Sequence, residues 1–251
     1  MKKKCAIFTI VKNENYFLPI WLKYYKTFFD NEDIFILDHE SNDGSTENLD
    51  VNVLKIYNDL AFDHQWLVDT VQNFQKELLE KYECVIFAES DELIYSLKMD
   101  LGELIDTFVV DKNINYVSLI GFEVIQDLEN ELPLKPNDLI FENRNLFFKC
   151  PIYDKTLISK IPLKWEWGFH RCNHPQNYIY DTHLMHLHRV DFDLMLKRHE
   201  ERAKKWNLKN DGDSGHQHRI GDKQGVLDYF NNIPSSPIHI PEEHKKQFFN
   251  I

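Results

Sequence analysis

Basic side chains are scarce in this chain: 29 lysines and arginines stand against 41 aspartates and glutamates, a formal net charge of −12. Affinity for DNA or RNA comes largely from lysine and arginine neutralising phosphates, so this balance argues against nucleic acid as a partner. Long apolar runs are missing too. No uninterrupted stretch approaches the roughly eighteen residues a membrane helix needs, so no membrane span is expected. The start, Met1 to Lys4 followed by Cys5 to Val11, has the basic opening of a signal peptide, but Lys12-Asn13-Glu14 ends the apolar run too soon. It reads as a buried strand instead. Cysteine is sparse as well: Cys5, Cys84, Cys150 and Cys172 are widely spaced and form no Cys-x-x-Cys pair. A disulfide scaffold is therefore not expected, and a reducing cytoplasm is the expected setting. There is no internal repeat and no low-complexity tract.

What is present is a folding composition, with 43% hydrophobic and 28% charged residues. A chain of 251 residues can bury roughly three quarters of its unfolded surface, enough for one principal core spanning 1–251. The first ninety or so residues alternate strand-like and helix-like segments. Cys5 to Val11 is an apolar β run, and Phe17, Trp21, Tyr24, Tyr25, Phe28 and Phe29 recur at helical spacing. Asp33 to Asp38 is a second strand, Glu40 to Thr46 a turn-rich loop, and Val51 to Tyr57 a third strand. Residues 64 to 81 carry a helical apolar stripe, and Cys84 to Ala88 is a fourth strand. This βα order predicts an α/β fold with a central, mostly parallel sheet flanked by helices.

The second half is less regular. It reads as a helix over 100–110, a strand over 115–125, a loop excursion over 127–155, strands over 156–190 and a helix with a basic outer face over 191–206. Asn207 to Gly215 is the best mobile-loop candidate.

Parallel sheets bind ligands beyond the carboxyl ends of their strands. Three polar clusters fall at such ends: Lys12-Asn13-Glu14, Asp38 to Asp43, and Glu89-Ser90-Asp91-Glu92. The last would fix carboxylates at a strand tip, and carboxylate oxygens are the ligands that Mg²⁺ and Mn²⁺ prefer. A helix cap made by Ser90 or Asp91 is the plainer alternative. Asp38 is suited to accept a hydrogen bond from a nucleotide base or ribose, whereas Asp43 in Asn-Asp-Gly is equally explained as turn chemistry. Histidine is unevenly placed. His183, His186 and His188 crowd one segment, and on a strand His186 and His188 face the same side, a geometry suited to a metal or a phosphate.

Taken together, IVKNENYFLPIWLKYY, IFILDHESNDGSTENL and VIFAESDELI resemble the family 2 type of glycosyltransferases with the GT-A fold, over residues 5 to about 95. The later segments GFHRC and LMHLHRVDFD resemble the carboxyl-terminal histidine region of a bacterial or viral subgroup of that family. The resemblance implies a GT-A-like nucleotide-diphospho-sugar transferase fold, with 1–95 as the nucleotide-binding half and 96–251 as the acceptor side and carboxyl-terminal helices. It implies transfer of a sugar from a nucleoside diphosphate, a UDP- or GDP-sugar, to a hydroxyl on a glycan or other acceptor, with Mn²⁺ or Mg²⁺ as cofactor. Asp38 would contact the base, Lys12, Glu14 and Asp43 would lie around the nucleoside, and Asp91, assisted by Glu89, would hold the metal. Glu89 stands where the family more often has aspartate, and its longer side chain can instead reach ribose. A histidine, His188 ahead of His186, would lie at the metal or the diphosphate. If the transfer inverts the anomeric centre, a carboxylate must take the acceptor's proton. Glu166, between Trp165 and Trp167, is the candidate, with an ordinary surface glutamate as the alternative.

Two other classes compete. A metal-dependent phosphoester hydrolase would need ligands for two close metals, and the amino half offers one dense acidic cluster. A catalytically silent sugar- or nucleotide-binding module of the same fold would use the aromatic residues, 14% of the chain, for stacking.

Overall fold

The computed structural model describes residues 2–58, 63–135, 137–205 (Lys205 through its backbone only) and 220–251. The proposed loop at Asn207 to Gly215 lies outside them.

Strand β1 (Lys3–Val11) is buried along almost its whole length, as a central parallel strand must be when both faces are covered. It pairs in parallel with β2 (Ile34–Asp38) on one side and β4 (Tyr82–Phe87) on the other, and β3 (Asn52–Lys55) adds outside β2. Between these strands run helix α1 (Phe17–Tyr25), which buries Phe17, Leu18, Trp21, Leu22, Tyr24 and Tyr25, and helix α2 (His64–Lys81), capped by Asp63 accepting from the Trp66 N–H. This amino half follows the βα order expected of it.

The second half extends the sheet beyond β4. Strands β8 (Thr156–Ser159), β6 (Tyr116–Ile125), β7 (Leu146–Lys149) and β10 (Ile238–His239) follow in that spatial order through antiparallel ladders. Strand β5 (Glu92–Ser96) leaves the path and pairs antiparallel with β9 (Tyr178–Arg189), which itself runs parallel to β6. Helices α3 (Leu101–Val110), α4 (Ile140–Asn143), α5 (Phe192–Lys205), α6 (Lys223–Asn231) and α7 (Glu242–Lys245) complete the described elements. The 127–155 stretch is thus more ordered than its composition predicts. A fully buried Arg144 ties it down, donating to the carbonyls of Val190, Leu132 and Asn143 and to Asp191. Asp191 in turn caps α5 by accepting from the Leu194 N–H at 3.0 Å.

Among the described residues, no helix is long and apolar enough to cross a membrane. The carboxyl ends of β1, β2 and β4 lie side by side, with Val11 opposite Asp38 and Phe8 opposite Phe87. The polar segments that follow these strands therefore converge on one edge, and α5 closes over it.

Candidate active-site cleft

Residues 89–92 form a tight turn between β4 and β5. The Glu92 N–H donates to the Glu89 carbonyl at 3.0 Å, and the Glu92 carboxylate reaches back to the Glu89 N–H at 2.9 Å. The turn delivers β5 into register with β9, where Glu92 faces His186 across the ladder. Asp91 is carried to the histidine strand by that register, and its carbonyl accepts from the Leu187 N–H.

The cleft beside Asp91 has a volume of about 300 Å³. Lys12, Glu14, Glu89, Asp91 and His188 line it, together with His186, His170, Lys155, Arg198, Arg202 and Glu201. Asp43 lines an adjoining cavity of about 400 Å³, which shares Asn13, Glu14, Arg198 and Glu201 with the first.

Asp38 and Glu166 line neither cavity. Asp38 is fully buried, accepting from the Ser41 N–H at 2.8 Å, the Thr46 hydroxyl at 2.6 Å and the Lys55 ammonium. Burial alone would raise its pKa, but Lys55, Thr46 and Ser41 outweigh it and hold the carboxyl below its ordinary value. Asp43 accepts from the Asn15 N–H and from Ser45, joining the loops that follow β1 and β2. Glu166 is exposed, and its flanking tryptophans turn elsewhere. Trp165 is buried and donates its indole N–H to the Thr156 carbonyl, while Trp167 stacks on His64 and donates to Gln65. The chain reverses just beyond, at Gly168, where φ is +75° and a Cβ would stand 2.8 Å from the His170 ring. Glycine meets both demands without strain.

Around Asp91 the charges are tightly organised. Its Oδ2 accepts from Arg198 Nη1 at 2.6 Å, and Arg198 Nη2 reaches Glu14 Oε1 at 2.9 Å. His186 Nε2 lies 3.8 Å from Asp91 Oδ1, and His188 Nδ1 lies 4.0 Å from Oδ2. Burial pushes the Asp91 carboxyl up, but Arg198, followed by His186, outweighs it, holding the group well below the usual carboxylate range. Glu14 moves the other way, because burial exceeds the opposing pull of Arg198.

Both histidines are fixed from behind. His186 Nδ1 lies 2.8 Å from the fully buried Glu123 and donates to it, so Nε2 is the atom presented to Asp91. Burial lowers the His186 pKa, yet Glu123 and Asp91 together raise it above its ordinary value. His199 Nδ1 lies 3.1 Å from the Ile220 carbonyl, which can only accept, so His199 Nε2 bears the lone pair. His188 Nε2, 3.3 Å away, then donates to it and presents Nδ1 to Asp91. Burial, followed by Arg198 and Arg202, pushes His188 well below its ordinary pKa, keeping it neutral. Each ring therefore aims an acceptor or a titratable nitrogen at one carboxylate, with a hydrogen-bond partner setting its orientation.

Among the described residues, no three His, Cys, Asp or Glu side chains are grouped as a metal-binding cluster as they stand. Asp91 holds the Arg198 guanidinium instead. The donor chemistry nonetheless suits a divalent ion: a carboxylate and two imidazole nitrogens, each ring backed by its own hydrogen bond. Glu89 is differently engaged. It and Glu92 flank the buried Lys155 ammonium at 2.6 and 2.7 Å, and these two carboxylates outweigh burial in raising the lysine's pKa.

Sequence reasoning missed Arg198, Arg202, Lys155, Glu123 and His199. The two arginines had a signal, being four residues apart on the basic face of the 191–206 helix. Lys155 and Glu123 had none, because their partners come from distant strands.

No family model matches the sequence, and no curated protein matches it. Among solved structures, the chain is similar to a cytidylyltransferase from Leptospira borgpetersenii serovar Hardjo-bovis, at 14% identity and a TM-score of 0.30, over 47% of this chain and 54% of that one. It is also similar to the mannosyltransferase PcManGT from Pyrobaculum calidifontis in complex with GDP-Man and Mn²⁺, at 11% identity and a TM-score of 0.41, over 82% of this chain and 62% of that one. The chain thus spans less than two thirds of either protein, and neither likeness identifies a fold family.

Proposed function

We propose that the chain is a GT-A-type glycosyltransferase that moves a sugar from a nucleoside diphosphate to an acceptor hydroxyl with the help of a divalent cation. One observation carries this reading: Asp91, in the turn that follows a central parallel strand, faces two histidine nitrogens whose rings are each held from behind, in a cleft also lined by Lys12, Arg198 and Arg202. Asp91, His186 and His188 would hold the ion. When bound there, Mn²⁺ or Mg²⁺ supplies positive charge to a departing diphosphate.

The chain's own groups do the rest. Lys12, Arg198 and Arg202 pair with phosphate oxygens, guanidinium groups being well matched to them. Glu123 holds His186 in the orientation that keeps Nε2 on the cleft side. If the transfer inverts the anomeric centre, a carboxylate must accept the acceptor's proton. Glu201, which lines both cavities, is better placed for this than Glu166. Glu201→Gln should lower kcat about 100-fold or more while Glu166→Gln leaves it near wild type, the scale expected of a general base.

The test of the whole reading is thermal unfolding with a panel of nucleoside diphosphates, each with and without Mn²⁺. One diphosphate should raise Tm in a metal-dependent way, since a ligand at about 100 times its Kd adds about 2.7 kcal/mol. Asp91→Asn should remove the metal-dependent increment. Survival of both that increment and transfer activity in Asp91→Asn would overturn the site assignment.

The Arg198–Asp91 pair favours one second reading: the same donor bound through guanidinium groups alone. In that case the diphosphate raises Tm equally with Mn²⁺ and with a chelator.

A further inference from the structure

Arg198 is placed unusually for an arginine that serves only to pair with phosphate. It projects from α5 into the cleft, and its two terminal nitrogens take Asp91 and Glu14, residues 107 and 184 positions away in the chain. Its side chain is only 15% exposed, and the guanidinium lies 4.7 Å from the centre of the Phe17 ring. The oxygen it holds on Asp91 is Oδ2, the one that His188 Nδ1 faces at 4.0 Å. A cation shared by Asp91 and His188 would have to take that same oxygen.

We propose that Arg198 is the chain's own counter-ion for Asp91, competing with the divalent cation for Oδ2 and passing to the donor's diphosphate when the cation binds. This rests on the reading of Asp91 and His188 as cation ligands, and goes beyond it by assigning the order of exchange. The charge balance gives the reason. Arg202 lies one helical turn from Arg198, where like charges repel, and among the described residues it forms no ion pair with a carboxylate. Asp91 and Glu14 offset this positive charge. A divalent ion on Asp91 takes one of those carboxylates from Arg198 and adds two positive charges to a cleft lined by Lys12, Arg198 and Arg202, which favours an anion there. Cation and diphosphate consequently favour each other's binding, and by linkage each raises the other's affinity by the same factor. Arg198 remains tethered through Glu14, so the exchange needs rotation of one side chain and no movement of the sheet.

The exchange is tested by titrating Mn²⁺ alone into the protein and following the signal of the free aqua ion by electron paramagnetic resonance, then repeating the titration with the nucleoside diphosphate that shifts Tm. Without nucleotide, Arg198→Gln should bind Mn²⁺ at least about 10-fold more tightly than wild type, a change of about 1.4 kcal/mol. Arg198→Lys, whose single ammonium cannot span both carboxylates, should fall between the two. The gain in Mn²⁺ affinity caused by the diphosphate should shrink in Arg198→Gln. A merely structural arginine predicts the opposite: lower Mn²⁺ affinity in both variants. If Arg198→Gln does not fold, Arg198→Lys alone decides, and it must bind Mn²⁺ more tightly than wild type. Equal or weaker Mn²⁺ binding in the folded variants overturns the exchange and leaves the cation site standing. If Mn²⁺ binds neither wild type nor variant, with or without nucleotide, the cation site and the exchange fall together.

Discussion

Glu123 Oε2 lies 2.8 Å from His186 Nδ1, and the same carboxylate accepts from the Arg189 backbone N–H at 2.9 Å and its guanidinium at 3.3 Å. A fully buried acid thus supports the histidine facing Asp91 and also anchors the end of β9. Glu123→Ala would leave Arg189 and His186 without their buried counter-charge, and breaking a buried pair from one side costs about 3–5 kcal/mol. Urea unfolding at neutral pH should show that loss as a lower midpoint. Glu123→Gln, which keeps one acceptor oxygen, should lose less.

Lys155 poses the reciprocal case. It is a buried cation between Glu89 and Glu92, of which Glu92 is wholly buried and Glu89 is 34% exposed. In Lys155→Met, Glu89 can turn to water, but Glu92 cannot. The expected cost is again about 3–5 kcal/mol, and Lys155→Met combined with Glu92→Gln should recover part of it. Thermal melts of the single and double variants provide the check, and a double variant no more stable than the single would refute the pairing argument.

Two histidines should shape the pH dependence in opposite senses. Burial pushes His183, packed on Tyr95, down to about 4, with Asp181 opposing. Its unfolded value is the ordinary 6.5, so its contribution is present above that pH and is lost as pH falls toward about 4. His186 is raised, because Glu123 and Asp91 overcome burial, so its contribution is complete below 6.5 and is lost as pH rises through the raised value. Unfolding midpoints in urea measured across this range should fall on both sides. His183→Gln should lessen the fall on the acid side without abolishing it, because burial lowers His170, His188 and His199 as well, and should leave the alkaline side unchanged.

Gly121 tests how closely β6 carries the cleft wall. A Cβ there would stand 2.5 Å from the Tyr153 carbonyl carbon and 2.7 Å from its oxygen, backbone atoms that cannot swing aside. Tyr153 packs against His186 with ring centres 4.1 Å apart. Gly121→Ala should cost about 1–3 kcal/mol through overpacking. It should also weaken the metal-dependent thermal shift, whereas Ala at an exposed position such as Glu129 should do neither.

Much of the amino half was legible because local periodicity and burial agree there. The apolar runs at β1, β2 and β4 and the stripe of α2 fall within a few residues of where the sequence puts them. Strand β5 escaped notice because Glu92 reads as the last member of an acidic cluster, when it is the buried first residue of a strand and partner to Lys155. The order in 127–155 was hidden for a similar reason: a single buried Arg144 organises a stretch rich in Asn and Asp. In the cleft, residue types at strand ends pointed to Lys12, Glu14, Glu89 and Asp91. The groups that orient them come from β6, β9 and α5, and no local pattern links those elements to the amino half.

The pairing of β5 with β9, Glu92 against His186, has a consequence for how the protein could be divided. Half of the cleft's chemistry is encoded far along the chain from the other half, so a fragment ending near residue 95 would retain the strands of the parallel half yet lack both histidines and the arginine that face Asp91. Pairings this remote in sequence are slow to form, and competence for ligand should emerge only after the most distant ladder has closed.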